Sequence, residues 1–356
     1  MPVMRLPPDV AHQLALALSL GVVCDATGAV AVDAGADADL LPYPPPGYLP
    51  WRALEVGNGD TYGFYWPIGR EAAAPVVCTV WHNEWAVLPL ASSLDAAVRL
   101  HVLTGAGDPA EWLALAAEAA VPVDDLPALA EGARADEESE ELPYWGAWDA
   151  EGLLAVDPAS PHLLWLAAKR AVADRRYERA EGHLRAALAA LPEYAEALAL
   201  LGLVYRQTAR HAESAGAMME ALTAPYCFGA SNADRRRLLG WLGRMKDATC
   251  AGPDPLWARR AELRLDDGDT ESADYRVFES LIEAYHVAGM GARAVRLRVA
   301  AGELMTRETI SFQERGAWTS DLWRQVLVAD LERAGLPTAR TSLGTAQVAA
   351  PRRKRA

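Results

Sequence analysis

The sequence predicts an α+β N-terminal domain followed by an all-α helical-repeat solenoid. Up to about residue 105, aromatic and β-branched segments alternate with glycine and proline turns, a pattern typical of strands. Beyond that point the chain is rich in alanine, its apolar residues recur at helical spacing, and part of it repeats every 34 residues. A chain of 356 residues has room for about two ordinary domains.

The N-terminal elements follow from local residue types. Leu41–Pro50 is expected to be a stiff, extended surface segment, because each of its prolines fixes φ and removes a donor. A turn is expected at Gly57–Asp60. Strands are expected at Thr61–Trp66 and Pro75–His82, whose side chains suit a pleated surface.

A helix is expected after these strands. Ser92 or Ser93 can cap its N-terminus, and Leu94 and Leu103 belong to its apolar side. Gly105 then ends it, since glycine is the usual residue just past a helix.

Changes in composition set the domain boundaries. The acidic run 136–141 carries like charges that repel and stay solvated, which indicates a linker. The last stretch has few large apolar residues and ends in the basic run 352–355, which indicates a disordered tail. The predicted parts are an α+β domain at 1–120, an acidic linker at 121–152, a helical domain at 153–335 with repeats at 161–194 and 195–228 and degenerate helices at 232–335, and a basic tail at 336–356.

The 34-residue repeat is the strongest pattern in the chain. Its first copy is Leu164, Ala167, Ala168, Ala171, Tyr177, Ala180, Leu184, Ala187 and Pro192, and its second is Leu198, Leu201, Gly202, Tyr205, His211, Ser214, Met218 and Ala221, with Pro225 one residue early. Small residues at matched positions let two helices approach closely, and large ones fill the seam between units. A third, out-of-phase match is Phe278, Leu281, Ile282, Tyr285, Gly289, Ala294 and Ala301.

This pattern resembles the tetratricopeptide repeat (TPR). The resemblance implies a concave groove lined by the first helix of each unit, at His162, Trp165, Lys169, Glu196, Ala199, Leu203 and Arg206. Trp165 and Lys169 stand where a subclass of the family has the lysine and asparagine that clamp a C-terminal carboxylate, which argues against that ligand. The groove is instead expected to bind an extended peptide or helix, with Trp165 as the apolar anchor and Lys169 and Arg206 steering acidic groups; alternatively, Trp165 packs against the linker.

Residues 49–104 resemble the SUKH superfamily, the Smi/Knr-type domain of bacterial immunity proteins. The features that carry this are Leu49–Pro50, the turn at Gly57–Asp60, the Tyr/Phe-rich strand after it, the segment Val76–Glu84, and the helix opening at Ser92. The resemblance implies a domain that binds partner proteins and has no catalytic residues. Its expected interaction face is Tyr62, Trp66, Trp81, His82, Glu84 and Trp85.

Few residues qualify for catalysis, and we expect neither an enzyme nor a cofactor or metal. His82 and Glu84 are spaced as in zinc deaminases, but the required P-C-x-x-C pair is absent from the sequence. Gly57–Gly63 places its third glycine one residue too late for a dinucleotide fingerprint. The cysteines at 24, 78, 227 and 250 form no CxxC pair.

Charge and hydropathy narrow the partners and the location. The chain has 48 acidic and 34 basic residues, a net charge of −14, which argues against nucleic acid as the partner. Twelve tryptophans against four phenylalanines favour protein recognition. No apolar run reaches the length of a membrane span and no signal sequence is evident, so we expect a cytoplasmic protein that does not contact the membrane.

The expected function is non-catalytic protein–protein interaction, with a protein or peptide as partner. Its sharpest version is an immunity protein that neutralises a toxin. The alternatives are a scaffold or adaptor without a toxin, and a hydrolase-type enzyme centred on His82 and Glu84. The oligomeric state stays open, since Trp318 and Trp323 could cap the solenoid or form a dimer contact.

Overall fold

The computed structural model describes residues 3–5, 22–24, 29–32, 45–53, 60–70, 73–81, 86–105, 109–118, 121–133, 149–246, 254–265, 271–306, 320–338 and 341. A three-stranded antiparallel sheet contains β1 (Val3–Arg5), β2 (Val22–Cys24) and β3 (Ala29–Val32) in the order β1-β3-β2. A four-stranded antiparallel sheet contains β4 (Tyr48–Ala53), β5 (Thr61–Tyr65), β6 (Val76–Trp81) and β7 (Ala86–Ala91) in chain order.

Helices follow the second sheet. They are α1 (Leu94–Thr104), α2 (Pro109–Glu118), α3 (Leu126–Ala133), α4 (Ala150–Leu153), α5 (Pro161–Ala173), α6 (Tyr177–Ala190), α7 (Ala195–Gln207), α8 (His211–Thr223), a 3₁₀ turn (Tyr226–Phe228), α9 (Asn232–Leu242), α10 (Pro255–Arg259), α11 (Glu271–Val287), α12 (Gly291–Thr306) and α13 (Ser320–Arg333). The expected order, strands with a helix and then helices alone, is confirmed at this level. Among the described residues, no helix is long and apolar enough to cross a membrane.

The proline-rich segment differs from its prediction. Tyr48 and Leu49 are fully buried, and they begin β4 instead of lying on the surface. β4 is the edge strand beside β5, and its register shifts between Pro50 and Arg52. An edge strand tolerates a proline because its outer N–H groups need no partner strand. Gly63 lies opposite on β5, where a Cβ would come within 2.4 Å of the Leu49 carbonyl oxygen, so only glycine fits without movement.

The four-stranded sheet is covered on both faces. Tyr62 and Phe64 belong to a buried cluster with residues of α1, α2, α4 and α5. Tyr48 and Tyr65 belong to a second cluster, shared with α5, α6, α7 and the 3₁₀ turn. The sheet therefore lies between two buried clusters, because side chains alternate between the two faces of a strand.

Local capping signals are found where the sequence places them. The Ser93 side chain accepts a hydrogen bond from the Ala96 N–H at the start of α1, and Gly105 ends that helix with φ 67°. The helix of 94–104 is thus confirmed. In the segment assigned to an acidic linker, by contrast, α3 forms a helix and buries Leu126. The acidic run 136–141 lies outside the described residues.

The repeat is visible in the backbone of two consecutive hairpins. Arg175, between α5 and α6, has φ 60°, and Ala209, 34 residues later between α7 and α8, has φ 59°. At both turns the next residue donates a hydrogen bond back to the last helical turn, from Arg176 to the Ala171 carbonyl at 2.7 Å and from Arg210 to Tyr205 at 2.8 Å. Such a bond closes a helix end over a left-handed residue.

The same turn recurs between α11 and α12, at Gly289 with φ 72°. Met290 there donates to the Tyr285 carbonyl at 2.8 Å. The third hairpin therefore shares the local geometry of the first two, although it is out of phase with them in sequence. The small residue Gly202 acts as expected within α7, since a Cβ there would come within 2.8 Å of the Met218 Cγ of α8.

Two buried charged side chains hold α9 and α12 in place. Arg235 of α9 is fully buried and donates to the carbonyl oxygens of Leu222 and Ala224 at the end of α8. The carboxylate of Glu303 on α12 accepts hydrogen bonds from the N–H groups of Tyr226 and Cys227 in the 3₁₀ turn. These bonds satisfy main-chain groups that would be costly to leave buried without a partner.

The last helix packs inward. Trp323, Leu327 and Leu331 of α13 form a small buried cluster with Val295 and Val299 of α12 and with Ile68, which follows the sheet. Trp323 therefore covers the end of the helical region. Trp318 lies outside the described residues.

Candidate binding groove

Three helices, α5, α7 and α9, enclose an open groove of about 310 Å³. Its lining residues are Trp165, Lys169, Glu196, Ala199, Leu200, Leu203, Ala230, Asp234, Arg237, Leu238 and Trp241. Five positions named from the sequence are among them: Trp165, Lys169, Glu196, Ala199 and Leu203. The remaining two, His162 and Arg206, contact the two tryptophans of the lining.

Helical spacing explains why these residues share one face. Along α7 the lining residues Glu196, Ala199, Leu200 and Leu203 follow the spacing i, i+3, i+4, i+7. The lining residues of α9, Asp234, Arg237, Leu238 and Trp241, follow the same spacing. On a helix these positions form one continuous stripe.

Trp165 forms one wall of the groove. Its ring stacks on His162 with the ring centroids 5.6 Å apart. The centroid of the Tyr194 ring lies 6.2 Å from that of Trp165, and the two rings are tilted against each other. The Lys169 Nζ lies 4.7 Å from the centre of the Trp165 ring, within the range of a cation–π contact. Trp165 is thus held in place by three neighbours before any ligand arrives.

His162 supports this wall from behind. It is only 7% exposed, and its Nδ1 lies 3.4 Å from the Tyr194 hydroxyl. Burial, and secondarily the positive charge of Lys169, lowers the pKa of His162 to about 3. The imidazole is therefore neutral at physiological pH.

Trp241 of α9 forms the opposite wall. The guanidinium carbon of Arg206, on α7, lies 4.5 Å from the centre of the Trp241 ring. Arg206 itself is exposed. The groove is therefore bounded by two tryptophans, each with a cation against its face.

Two carboxyl groups also line the groove. Glu196 packs against Gly229, where a Cβ would come within 2.2 Å of the Glu196 Cγ, and its Oε2 accepts from the Tyr194 hydroxyl at 3.4 Å. Burial raises the pKa of Glu196 to about 7, and the hydrogen bond from Tyr194 and the charge of Lys169 oppose that rise. Asp234 accepts from the Ser231 hydroxyl at 2.7 Å and pairs with Arg237 at 3.3 Å.

The expected N-terminal interaction face needs correction. Trp66 is fully buried and Tyr62 is 7% exposed, so neither side chain is available to a partner. Tyr62 instead donates to or accepts from His101 at 3.0 Å, within a buried cluster that includes Trp112. Both belong to the core because the helices after the sheet cover this face. Trp81 ends β6 partly exposed.

His82, Glu84 and Trp85 lie outside the described residues, in the connection between β6 and β7. Within the described part of the chain, no group of three His, Cys, Asp or Glu residues could hold a metal ion. Cys78 and Cys227 are buried, and burial raises the pKa of both thiols. Neither is therefore a ready thiolate nucleophile.

The four lining residues of α9, together with Leu200 and Ala230, are the part of the groove that sequence reasoning missed. The stripe Asp234, Arg237, Leu238 and Trp241 repeats the spacing of the α7 stripe, and that signal was available in the sequence. It was missed because α9 falls outside the 34-residue template. Its placement beside α7 depends on the buried Arg235, which a periodicity search cannot detect.

The fold and the groove together define a protein in which helical hairpins are packed on a small antiparallel sheet and α5, α7 and α9 enclose an open, largely apolar groove. Residues 34–109 match the family model of the YfbP N-terminal domain, and residues 267–334 match that of the YfbP C-terminal domain. The chain is 25% identical over 286 residues to a relative named "Uncharacterized protein YfbP" of Escherichia coli (strain K12). The aligned region covers 80% of this chain and 86% of the relative. No solved structure matches the chain.

These matches correct both family resemblances. The segment 49–104 attributed to the SUKH superfamily lies within the match to the YfbP N-terminal domain, and part of the segment attributed to TPR helices lies within the match to the YfbP C-terminal domain. Both assignments were therefore wrong. The short motifs behind them describe turns, strand edges and close helix contacts, which unrelated families share. The helices that form the groove, α5 to α9, lie between the two matched segments.

Proposed function

We propose that this protein is a non-catalytic binding protein whose groove between α5, α7 and α9 holds a segment of a partner protein. The observation that supports this is the convergence of Trp165 on α5 with one helical stripe of α7 and one of α9 on an open groove. Its volume of about 310 Å³ accommodates a few side chains. A continuous segment with one or two apolar anchors fits such a space better than a flat protein surface does.

The order of the groove before binding also supports this proposal. Trp165 is stacked between its neighbours and Trp241 lies under Arg206. Aromatic side chains that are already ordered lose little conformational entropy on binding, so more of the contact energy appears as affinity. Tryptophan is also enriched among the residues that dominate binding energy in protein interfaces.

The helical arrangement gives the groove its shape. The hairpins α5–α6, α7–α8 and α11–α12 share one turn geometry. We infer that they form a short helical solenoid, interrupted by α9 and α10, in which α5 and α7, the first helices of the first two hairpins, face the groove. Stacked helical hairpins commonly present a concave surface to extended ligands.

A scaffold or adaptor role is compatible with this proposal. A toxin-neutralising role depended on the SUKH resemblance, which the family matches contradict, and it has no other support. A hydrolase centred on His82 and Glu84 has no supporting observation, since both residues lie outside the described part of the chain.

The test is to select ligands from a displayed library of random peptides on the full-length protein and to measure their dissociation constants with two variants. Leu203→Glu places a charge in the groove, and Leu113→Glu places one on α2, where Leu113 is already 48% exposed. We expect Leu203→Glu to weaken the selected peptides by about tenfold or more. Leu113→Glu should leave their affinity unchanged.

A library that yields no binders, or binders that respond equally to both variants, would refute the groove as the binding site. Circular dichroism and thermal unfolding of both variants show whether each is folded. A folded Leu203→Glu variant with unchanged affinity is the decisive negative result.

A further inference from the structure

Two cations at the groove form no ion pair among the described residues, although the charge of Lys169 opposes the rise in the pKa of Glu196. Lys169 lies against Trp165 and Arg206 lies against Trp241, on opposite walls. Most other arginines of the helical region form ion pairs, for example Arg170 with Asp149 at 2.8 Å and Arg179 with Glu151 at 2.7 Å. Lys169 and Arg206 instead lie against tryptophan rings at the groove, in a chain whose net charge is −14.

The carboxyl groups of the groove do not neutralise these cations. Asp234 is engaged by Ser231 and Arg237. Glu196 is packed against Gly229 and hydrogen-bonded to Tyr194, and burial raises its pKa to about 7. Near neutral pH the Glu196 carboxyl is thus partly protonated. The groove presents an excess of positive charge at its walls and apolar side chains on its floor.

We propose that the groove selects an acidic–apolar segment of a partner protein, with a large apolar side chain between Trp165 and Trp241 and flanking carboxylates that reach Lys169 and Arg206. This inference rests on the proposed function and names the chemistry of the partner. Each cation lies against an indole face, within the range of a cation–π contact, so it is positioned before the carboxylate arrives. Cations at the edge of an apolar site contribute selectivity and association rate more than raw affinity.

A protein segment fits these observations better than a nucleic acid does. Nucleic-acid binding draws on a broad basic face that neutralises many phosphates. The lining of the groove has two basic and two acidic residues, and Arg206 adds one further cation at the wall. Its floor is formed by the aliphatic side chains of Ala199, Leu200, Leu203 and Leu238. Such a floor requires an apolar side chain.

The experiment uses three pools of short synthetic peptides on the full-length protein. In all pools leucine, isoleucine or phenylalanine alternates with a second residue, which is Asp or Glu in the acidic pool, Asn or Gln in the neutral pool, and Lys or Arg in the basic pool. Affinities are measured for wild type, for Lys169→Gln/Arg206→Gln, and for Arg170→Gln/Arg176→Gln. The last variant removes the same charge from exposed residues outside the groove lining and corrects for long-range attraction.

We expect wild type to prefer the acidic pool over the neutral pool, by up to about fivefold for each cation. The preference should disappear in Lys169→Gln/Arg206→Gln, remain in Arg170→Gln/Arg176→Gln, and weaken as salt is added. Equal affinity of wild type for the acidic and neutral pools would overturn the inference, while the proposed function would stand if Leu203→Glu still abolished binding of both.

If no pool binds in a manner sensitive to Leu203→Glu, the proposed function itself fails. A second copy of the chain is the other occupant that the test detects. Self-association measured by sedimentation, and lost in Leu203→Glu, would show that the groove holds the protein's own surface and would overturn the inference.

Discussion

Glu196 offers a direct test of the electrostatics of the groove. Its carboxyl is largely buried against Gly229 and Tyr194, and burial raises its pKa from 4.5 to about 7. Below pH 4.5 the group is protonated in both the folded and the unfolded chain, so it costs no stability. Between pH 4.5 and 7 the Glu196 carboxyl is ionised in the unfolded chain but keeps its proton in the folded chain. The free energy of unfolding therefore falls as pH rises through this window, and the loss is complete above pH 7.

The difference between a pKa of 4.5 in the unfolded chain and about 7 in the folded chain corresponds to a loss of about 3 kcal/mol at most in the free energy of unfolding. Glu196→Gln removes the titration and keeps the shape of the side chain. We expect the variant to be more stable than wild type at pH 8, by up to about 3 kcal/mol, and equal to it at pH 4. Urea unfolding followed by circular dichroism at pH 4 to 8 measures the difference.

Glu220→Gln is the matched control for the removal of a carboxylate, because Glu220 is exposed on α8. Other groups that titrate, including His162, are present in wild type and in both variants, so they cancel in the comparison. A difference between Glu196→Gln and wild type that is constant from pH 4 to pH 8 would refute the reasoning. So would a variant that is less stable than wild type at pH 8.

Two further predictions concern packing and acid stability. Gly202→Ala should destabilise the protein by about 1 kcal/mol or more, because the added Cβ comes within 2.8 Å of the Met218 Cγ. Gly182→Ala, with open space at its Cβ, should stabilise the protein by about 0.5–1 kcal/mol through helix propensity. Urea unfolding of both variants at pH 7 measures the two effects, and equal effects would contradict the close approach at Gly202. The pKa of His162 is lowered to about 3, so the stability that its neutral form contributes above pH 6.5 is lost as pH falls toward 3. His162→Gln should therefore lose less stability in acid than wild type. Unfolding free energies at pH 7 and pH 4.5 test this, and an equal loss of free energy in wild type and variant would contradict it.

Local signals predicted the elements well. Ser93 and Gly105 bound α1 as expected, and the turn conformations of Arg175 and Ala209 recur at the 34-residue period. Five of the seven groove positions line one cavity, since the repeat placed them on the inner faces of α5 and α7. Their role in binding stays a prediction.

The errors share one cause. Pro50 and the prolines before it fix φ and lack an N–H donor, which indicates an extended surface segment. Tyr48 and Leu49 nevertheless begin a buried edge strand. Tyr62 and Trp66 suit an exposed aromatic face equally well, yet helices cover them. Burial depends on what packs against a residue from a distant part of the chain, and residue type alone does not contain that information.

The sequence by itself determined β5, β6, the ends of α1 and the spacing of the groove positions on α5 and α7, because caps, turns and amphipathic periods act over a few residues. Only the tertiary structure decided that α9 closes the groove with Trp241, since its position depends on the buried guanidinium of Arg235 bound to carbonyl groups at the end of α8. It also decided the state of Glu196, whose raised pKa arises from packing against Gly229, 33 residues away in sequence. Local sequence sets the elements, and contacts between distant residues set the chemistry of the site.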